Sequence, residues 1–261
     1  MSEQLISTEK RGGLLLVGFD RAAKRNAFPT SMLTQLAQAF TAAEDDDDVR
    51  CLVVHAAGDH FTAGLDLAEV APSLRNGLLV QDESLVDPWQ VRGRRRTKPV
   101  VVAVQGICLT LGIELMLAAD VRVAAADARF GQIEVARGIY PFGGATLRFP
   151  RECGWGNAMR WMLTSELFDA AEALRIGLVQ EVVDPGRQLD RALEIATTIA
   201  AQAPLGVRAV LASSRTAIEE AQPVDAAERL HADLLPLLDS EDAAEGVASF
   251  LERRAARFTG R

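Results

Sequence analysis

A chain of 261 residues, 49% hydrophobic and 25% charged, has the composition of a globular protein that can bury a large core. Its formal net charge of −8 argues against nucleic acid as the main partner, because phosphate binding needs a positive surface. The three cysteines are far apart, and the three histidines lack metal-ligand spacing, so neither a disulfide framework nor a zinc site is predicted. There is no apolar signal core near the N-terminus and no run as long as a membrane span, so we expect a cytoplasmic protein.

The first quarter of the chain alternates buried strands with helical spacing. We predict a strand over Leu14–Phe19, an amphipathic helix from Pro29 to about Glu44, and a second buried strand over Cys51–His55. Residues 56–67 form a glycine-punctuated loop that leads into a helix. His60 in this loop could act as a base, although a loop histidine is more often incidental.

Residues 71–98 carry a weaker pattern, which proline and glycine interrupt. They are expected to form irregular cover over a site. The arginine cluster at 92–96 is interpreted as a solvated face, with contact to an anionic ligand as the alternative.

The next stretch, Val100 to Arg151, holds the features on which a functional prediction rests. The unbroken apolar run Val100–Val104 indicates a strand covered on both faces. Residues 111–119 indicate a buried helix, with Thr110 as its N-cap. This strand-to-helix turn directs unpaired backbone N–H groups to whatever lies above it, so it is a natural place to hold developing negative charge.

Two glutamates, Glu114 and Glu134, occur here in segments that are otherwise apolar or glycine-rich. Carboxylates are seldom fully buried without a partner. Two of them close together would raise the pKa of at least one, which suits a proton donor better than an inert core. The pair is therefore predicted to be catalytic rather than a buried polar remnant.

Beyond residue 151 the alternating part closes with helices over 154–163 and 169–175 and a short strand within 177–183. From residue 185 the pattern is mostly helical, with three apolar faces. This is more apolar surface than a lone helical appendage needs, so an oligomer interface is predicted.

In their order and spacing, these segments resemble the crotonase superfamily of enoyl-CoA hydratases and isomerases. The match covers nearly the whole chain and includes Arg25-Asn26-Ala27, Phe61 to Leu67, Lys98-Pro99-Val100, Gly112 to Leu115, Ala119 to Arg122, Ala128 to Glu134, Gly138 to Pro141, Asp169 to Ala173 and Phe258 to Arg261. The resemblance implies an α/β fold, a crotonase-like spiral of ββα units over residues 1–184. It also implies a C-terminal helical trimerisation region over 185–261, with assembly as a homotrimer or a dimer of trimers.

The resemblance further implies an enoyl-CoA hydratase, which adds water reversibly to a 2-enoyl-CoA thioester. The backbone N–H groups of Leu65 and Leu111 would hold the thioester oxygen as an oxyanion hole. Glu114 would assist attack of water at Cβ, and Glu134 would deliver a proton at Cα. Coenzyme A would enter as part of the substrate, and no metal or redox cofactor is expected, because the thioester activates its own α-carbon.

Substrate contacts implied by the resemblance extend beyond these four residues, to Arg25, Ala63, Gly64, Asp66, Phe142, Phe250 and Arg253. Phe250 and Arg253 would approach the coenzyme A moiety across a subunit boundary.

The chain departs from the family pattern around both glutamates. Thr110 and Leu111 stand where the family commonly has glycines, Ile133 replaces a usual proline, and Phe142 occupies a glycine position. These departures keep alternatives open, namely a Δ3,Δ2-enoyl-CoA isomerase, another crotonase-type acyl-CoA enzyme, or an acyl-CoA binding protein with little turnover.

Overall fold

A computed structural model describes residues 3–74, 82–219, 235 and 238–257 of the chain. The strands are β1 (Ile6–Arg11), β2 (Leu14–Phe19), β3 (Cys51–Ala56), β4 (Val100–Val104), β5 (Ile107–Leu109), β6 (Val121–Ala125), β7 (Arg129–Gly131), β8 (Phe168–Asp169) and β9 (Glu181–Val183). The helices are α1 (Thr30–Asp45), α2 (Leu67–Leu74), α3 (Leu111–Ala118), α4 (Ala145–Cys153), α5 (Trp155–Thr164), α6 (Ala170–Arg175), α7 (Gln188–Ala200), α8 (Pro204–Glu219) and α9 (Glu241–Leu251). Short 3-10 turns lie at Ala22–Lys24 and Val135–Arg137.

The strands form a main sheet in the order β1-β2-β3-β4-β6-β9 and a smaller sheet in the order β5-β7-β8. In the main sheet β1 pairs antiparallel to β2, and all later neighbours are parallel. After β4 the chain adds β5 to the smaller sheet and then forms α3, and after β6 it adds β7 and then a 3-10 turn. The chain therefore winds as the spiral that the sequence predicts, and the α/β fold class is confirmed.

The main sheet is buried on both faces because its central strands are apolar at consecutive positions. Along β3, Val53 lies in the core that includes α7, whereas Val54 lies in the larger core that includes α1 and α3. Val101 and Val102 of β4 alternate in the same way. This packing explains why the strands show no polar alternation in the sequence.

Helix α7 closes one face of this sheet, although it begins the region predicted to mediate assembly. Ala192 and Ala196 are fully buried against the strands, and Leu189, Leu193 and Ile199 pack around them. For this helix the expectation that its apolar face is buried between subunits is therefore wrong, because the sheet of the same chain covers it.

The next helix leaves apolar side chains uncovered within the chain. In α8, Leu205 is 79% exposed and Val210 is 66% exposed. An oligomer interface at this helix stays a prediction. The remaining leucines of the third apolar face, Leu230, Leu234 and Leu237, lie outside the described residues, as does the closing motif from Phe258 to Arg261.

Several elements were not predicted from the sequence, among them β1, the short strands β5 to β8 and helix α4. Strand β1 is an edge strand that exposes every residue after Ile6, so it lacks the apolar alternation of a half-buried strand. Helix α4 starts directly after a glycine pair and contains Pro150, and both features usually signal a break.

The arginine cluster is not uniformly solvated, as the sequence suggested. Arg96 is buried, and its guanidinium donates to the Asp120 carboxylate at 2.7 and 3.1 Å and to the Ala118 carbonyl at 2.6 Å. It thereby satisfies a carbonyl at the C-terminus of α3, where a positive charge is favourable. By contrast, Arg94 is partly exposed and pairs with Asp45.

Among the described residues, no single helix is long and apolar enough to cross a membrane. Helices α7 and α8 reach the length and apolar composition of a membrane span only when they are taken together, and the chain bends by 105° between them.

The last helix, α9, packs onto the 3-10 turn that follows Glu134 through a close backbone approach. A Cβ placed on Gly246 would lie far inside van der Waals distance of the Arg137 carbonyl oxygen. On the other side, a Cβ on Gly138 would meet the Asp242 carbonyl in the same way. These glycines allow the helix that carries Phe250 to lie directly against the turn.

We predict that Gly246→Ala lowers the thermal unfolding temperature. Alanine favours a helix interior by about 1 kcal/mol over glycine, but overpacking against a backbone carbonyl costs about 1–3 kcal/mol and should dominate. Gly206→Ala in α8 is the control, because its Cβ would meet nothing closer than 3.9 Å, so it should stabilise the chain or leave it unchanged. Equal unfolding temperatures for the two variants would contradict the packing of α9.

Candidate functional site

A cavity of about 440 Å³ opens where the first loop, the strand-to-helix turn before α3 and the turn after β7 meet. Every residue predicted for the site lines it except Gly64 and Arg253, namely Arg25, Ala63, Leu65, Asp66, Leu111, Glu114, Glu134, Phe142 and Phe250. The fold therefore brings these residues to one cavity from widely separated parts of the chain, and their catalytic and binding roles stay predictions.

Asn26 fastens the first loop to the loop after β3. Its side chain is fully buried and donates to the carbonyls of Ala57 and His60 at 2.9 and 2.8 Å, while it accepts from the Arg21 N–H. The Thr62 hydroxyl in turn donates to the Asn26 carbonyl at 2.7 Å. These hydrogen bonds fix the position of residues 63–65 at the cavity wall.

The two predicted oxyanion-hole donors are available. The N–H groups of Leu65 and Leu111 have no acceptor within the part of the chain that the structure describes, and both residues line the cavity. Leu111 is the first residue of α3, whose early N–H groups lack partners for geometric reasons. The indole of buried Trp89 donates to the Leu111 carbonyl at 3.1 Å and so holds this helix start from the covering segment.

Glu114 is buried at the cavity end of α3. Its Oε1 accepts from the N–H groups of Gly143 and Ala145 at 2.7 and 3.1 Å. Burial raises the pKa of the Glu114 carboxyl to about 7, although these hydrogen bonds and the positive charge of Arg148 act in the opposite direction. Glu114 can therefore exchange a proton near neutral pH.

Glu134 is equally buried but has less support for a negative charge. Burial, followed by the charge of Glu114, raises the pKa of Glu134 well above its ordinary value. With its amide turned so that the nitrogen faces the carboxyl, Gln132 donates to the two Glu134 oxygens at 2.9 and 3.1 Å. Glu134 is thus the member of the pair that holds a proton more firmly.

The groups that bind Glu114 were not identified from the sequence. Gly143 and Ala145 flank the start of α4, and Gly143-Gly144 was the only signal of a special backbone there. The buried Arg148 guanidinium lies beneath this turn, where its Nη2 donates to the Gln90 carbonyl at 2.8 Å. A helix start after a glycine pair, with an arginine one turn later, could have indicated the support for Glu114.

The outer wall of the cavity carries basic groups. Lys24, Arg25 and Arg137 all line it. The Arg137 guanidinium lies 5.1 Å from the centre of the Phe250 ring, so α9 contributes to this wall. Asp66 is bound at 2.8 Å by Arg21, which leaves it little free charge to offer a ligand.

Arg253 does not line the cavity in a single chain. It follows α9, and its backbone has a φ of 54°. Its predicted contact with a ligand across a subunit boundary stays a prediction.

Other titratable residues have structural roles. The His60 Nδ1 accepts the Ile107 N–H at 3.2 Å, which supports the interpretation that His60 is incidental to catalysis. Burial raises the pKa of Cys51 and Cys153 to about 12, so neither thiol is an activated nucleophile. No group of metal-binding side chains occurs within residues 3–74, 82–219 and 238–257.

The cavity therefore combines two free N–H donors with an acid and a base in apolar surroundings. The donors can stabilise an oxygen that becomes negative, because fixed donors in a dry site cost no reorganisation during the reaction. Two carboxyl groups with different support can divide proton donation and acceptance between them. This arrangement suits proton transfer next to an activated carbonyl group.

Comparison with known proteins agrees with this chemistry. The family model described as enoyl-CoA hydratase/isomerase matches residues 9–261. The enoyl-CoA hydratase EchA19 of Mycobacterium tuberculosis is 37% identical, over 97% of this chain and 96% of its own length. A crystal structure of a probable enoyl-CoA hydratase/isomerase from Mycobacterium abscessus is 53% identical with a TM-score of 0.80, and covers 98% of this chain and 99% of that one. The structure of a carnitinyl-CoA hydratase from Mycobacterium avium is 35% identical with a TM-score of 0.86, over the full length of both chains.

We predict that Glu114→Gln stabilises the protein above neutral pH. Folding raises the pKa of the Glu114 carboxyl from 4.5 to about 7, so the protein becomes less stable as the pH rises through that interval. Glutamine keeps an oxygen for Gly143 and Ala145 but carries no charge, so the free energy of unfolding at about pH 8 should rise by up to about 3 kcal/mol.

Urea unfolding at about pH 8 and about pH 4 measures this effect, and the gain should vanish at the lower pH. Glu181→Gln is the control of opposite sign, because Arg191 holds the pKa of Glu181 below its ordinary value. A Glu114→Gln variant that is less stable than the parent at the higher pH would contradict the conclusion that the buried Glu114 carboxylate destabilises the protein.

Proposed function

The chain belongs to the enoyl-CoA hydratase/isomerase family, and from that premise we propose that it is an enoyl-CoA hydratase, which adds water reversibly to a 2-enoyl-CoA thioester. The observation that carries the proposal is that Glu114 and Glu134 line one cavity together with the free N–H groups of Leu65 and Leu111. Relatives named enoyl-CoA hydratase over nearly the full length of the chain support the same reaction.

In the proposed reaction the thioester oxygen accepts from Leu65 and Leu111, which draws electrons from the double bond and makes Cβ electrophilic. Loss of one such donor typically costs about 10²–10³ in rate. Glu114 as carboxylate takes a proton from water while the water oxygen bonds to Cβ. Glu134 as carboxylic acid gives its proton to Cα, so the product is a 3-hydroxyacyl-CoA thioester. A proton passed from Glu114 to Glu134 restores the starting state.

The different surroundings of the two glutamates support this division of roles. Glu114 accepts two backbone N–H groups and lies within the field of Arg148, and these contacts favour its anion. For Glu134, burial and the charge of its neighbour favour the neutral acid. A base and an acid on the same cavity can hold one water and protonate the adjacent carbon, with each group worth about 10²–10⁴ in rate.

The main alternative is a Δ3,Δ2-enoyl-CoA isomerase, which needs only one carboxyl to move a proton. Its single shuttle would be Glu134, and it would not need the hydrogen bonds that hold Glu114 at the cavity. Another crotonase-type acyl-CoA enzyme, or an acyl-CoA binding protein with little turnover, is the further alternative, in which Leu111 and Phe142 would crowd the reacting carbons.

The coenzyme A moiety is proposed to enter along the basic wall of the cavity. Lys24 and Arg25 offer charges that suit phosphate groups, and Arg137 with Phe250 also lines this wall. Catalysis by carboxyl groups and backbone donors needs no metal or redox cofactor in this proposal.

We further propose a cytoplasmic homotrimer or dimer of trimers, and the uncovered side chains Leu205 and Val210 of α8 support an interface there.

We predict that Glu114→Gln and Glu134→Gln each lower the rate of crotonyl-CoA hydration by at least about 10²-fold, since each removes one acid–base group. Both variants should bind a saturated acyl-CoA as the parent does, because Leu65 and Leu111 donate from the backbone. Loss of enoyl absorbance measures the rate, and calorimetry measures the binding.

The same two variants separate the alternatives. In an isomerase, Glu134→Gln abolishes transfer of the double bond, while Glu114→Gln keeps much of it. A binding protein shows affinity for acyl-CoA without turnover even in the parent. Glu172→Gln, a change at a half-buried glutamate that pairs with Arg175 and does not line the cavity, should leave hydration unchanged and serves as the control. Full hydration in both site variants would mean that the chemistry lies elsewhere.

The oligomer is tested through Arg253. If this residue reaches coenzyme A across a subunit boundary, Arg253→Glu should weaken acyl-CoA binding without changing the unfolding temperature. Arg187→Glu is the matched control, because Arg187 is exposed and pairs only locally with Asp190. A monomer in light scattering at micromolar concentration, or equal affinity in both variants, would refute the proposed assembly of the site.

A further inference from the structure

Thr110 has a backbone conformation that a threonine does not adopt without a cost. Its φ is 48° and its ψ is −114°, in a region where side chains are sterically disfavoured and where glycine is the usual residue. Two sets of hydrogen bonds hold it there. Its N–H donates to the Gly131 carbonyl at 2.8 Å, and its carbonyl accepts from Ile113 and Glu114 at 2.9 and 3.2 Å. Such strain persists at functional sites more often than elsewhere.

The strain is not offset by a side-chain helix cap. Threonine at this position was predicted to cap α3, but its side chain accepts no hydrogen bond from the helix. Thr110 is the N-cap residue of α3, as predicted, but only its backbone carbonyl takes part in the cap, by accepting from Ile113 and Glu114. Among the described residues, the hydroxyl of Thr110 makes no hydrogen bond, although Thr110 lines the cavity.

The hydroxyl lies between the two turns that carry the oxyanion donors. A Cβ placed on Gly64 would clash with Thr110 Oγ1, so the hydroxyl packs closely against the Gly64 backbone. Gly64 immediately precedes Leu65, and Thr110 immediately precedes Leu111. The Thr110 side chain therefore reaches from one donor turn to the other.

We propose that the Thr110 hydroxyl is a third hydrogen-bond donor to the thioester oxygen, beside the N–H groups of Leu65 and Leu111. A hydroxyl without a protein acceptor, held between two donor turns that line an apolar cavity, can donate where negative charge develops. A hydrogen bond to a charged group is stronger than one between neutral groups, so the third donor stabilises the enolate-like state more than the bound substrate. Such a role would give a function to a strained threonine at a position where glycine would fit without strain.

The inference rests on the proposed function only in that it requires a thioester in the cavity, whether water is added or not. It assigns to this chain a hydroxyl at the oxyanion hole in addition to its backbone donors.

Three substitutions at position 110 test it. Thr110→Val keeps the branched shape and the strain but loses the donor, and Thr110→Ser keeps the donor. Thr110→Gly loses the donor and relieves the strain. We expect Thr110→Val and Thr110→Gly to lower kcat on crotonyl-CoA by about 10- to 100-fold, the usual range for a hydrogen bond to a charged group. Thr110→Ser should stay near the parent, and Thr110→Gly should raise the unfolding temperature.

A spectroscopic measurement distinguishes a hydroxyl that donates to the thioester oxygen from a side chain that only packs between the two turns. The absorbance of 4-dimethylaminocinnamoyl-CoA moves to longer wavelength when its thioester carbonyl is polarised, and the Glu134→Gln background prevents its hydration. In this background the shift on binding should be smaller with Thr110→Val and unchanged with Thr110→Ser. If Thr110→Val fails to fold, the comparison of Thr110→Ser with Thr110→Gly gives the same decision.

An unchanged spectral shift and an unchanged kcat in Thr110→Val would overturn the inference while leaving the hydratase proposal intact. Conversely, a parent protein that hydrates no enoyl-CoA, but whose spectral shift depends on the hydroxyl, would refute the hydratase proposal and support the third donor.

Discussion

The rest of the site depends on one electrostatic constraint, which is that two carboxyl groups share a cavity with little access to water. An ionised carboxylate in such a place is unfavourable unless it is hydrogen-bonded or paired, and two of them also repel each other. The chain resolves this by giving Glu114 two backbone donors and a nearby guanidinium, whereas Glu134 has the side-chain amide of Gln132 and a hydrogen bond from its own backbone. The unequal support separates a base from an acid, which is the chemical requirement for adding water across a double bond.

The spiral fold brings these groups together because Thr62, in the loop after β3, forms a parallel β-bridge with Cys108 of β5. Leu65 follows the loop after β3, and Leu111 follows β5, so two strand-to-helix turns present their free N–H groups to one space. Buried side chains such as Asn26 and Trp89 fix those turns from below and from the side. The strained backbone at Thr110 belongs to the same region, where the strain lowers stability but positions the hydrogen-bond donors.

The sequence predicted what depends on local pattern and failed where tertiary contacts decide. Unbroken apolar runs identified β2, β3 and β4, and the order of motifs identified the fold, which brings most of the predicted site residues to one cavity. The groups that stabilise the Glu114 carboxylate could not be predicted from the sequence, because Gly143 and Arg148 become its neighbours only when α4 packs against α3. Arg96 and α7 were misread for the same reason, since a basic cluster and an apolar helix face look alike whether they meet solvent, another subunit or their own chain.

Near neutral pH, Glu134 should hold its proton more firmly than Glu114. Carbon NMR of a protein labelled at the glutamate side-chain carboxyl measures this difference directly. Signals are assigned by their loss in the glutamine variants and followed from about pH 4 to about pH 9, which brackets ordinary and raised carboxyl values. We expect Glu114 to titrate with an apparent pKa of about 7 and Glu134 to remain protonated at still higher pH. Two carboxyl groups that both titrate near the ordinary value of 4.5 would contradict it.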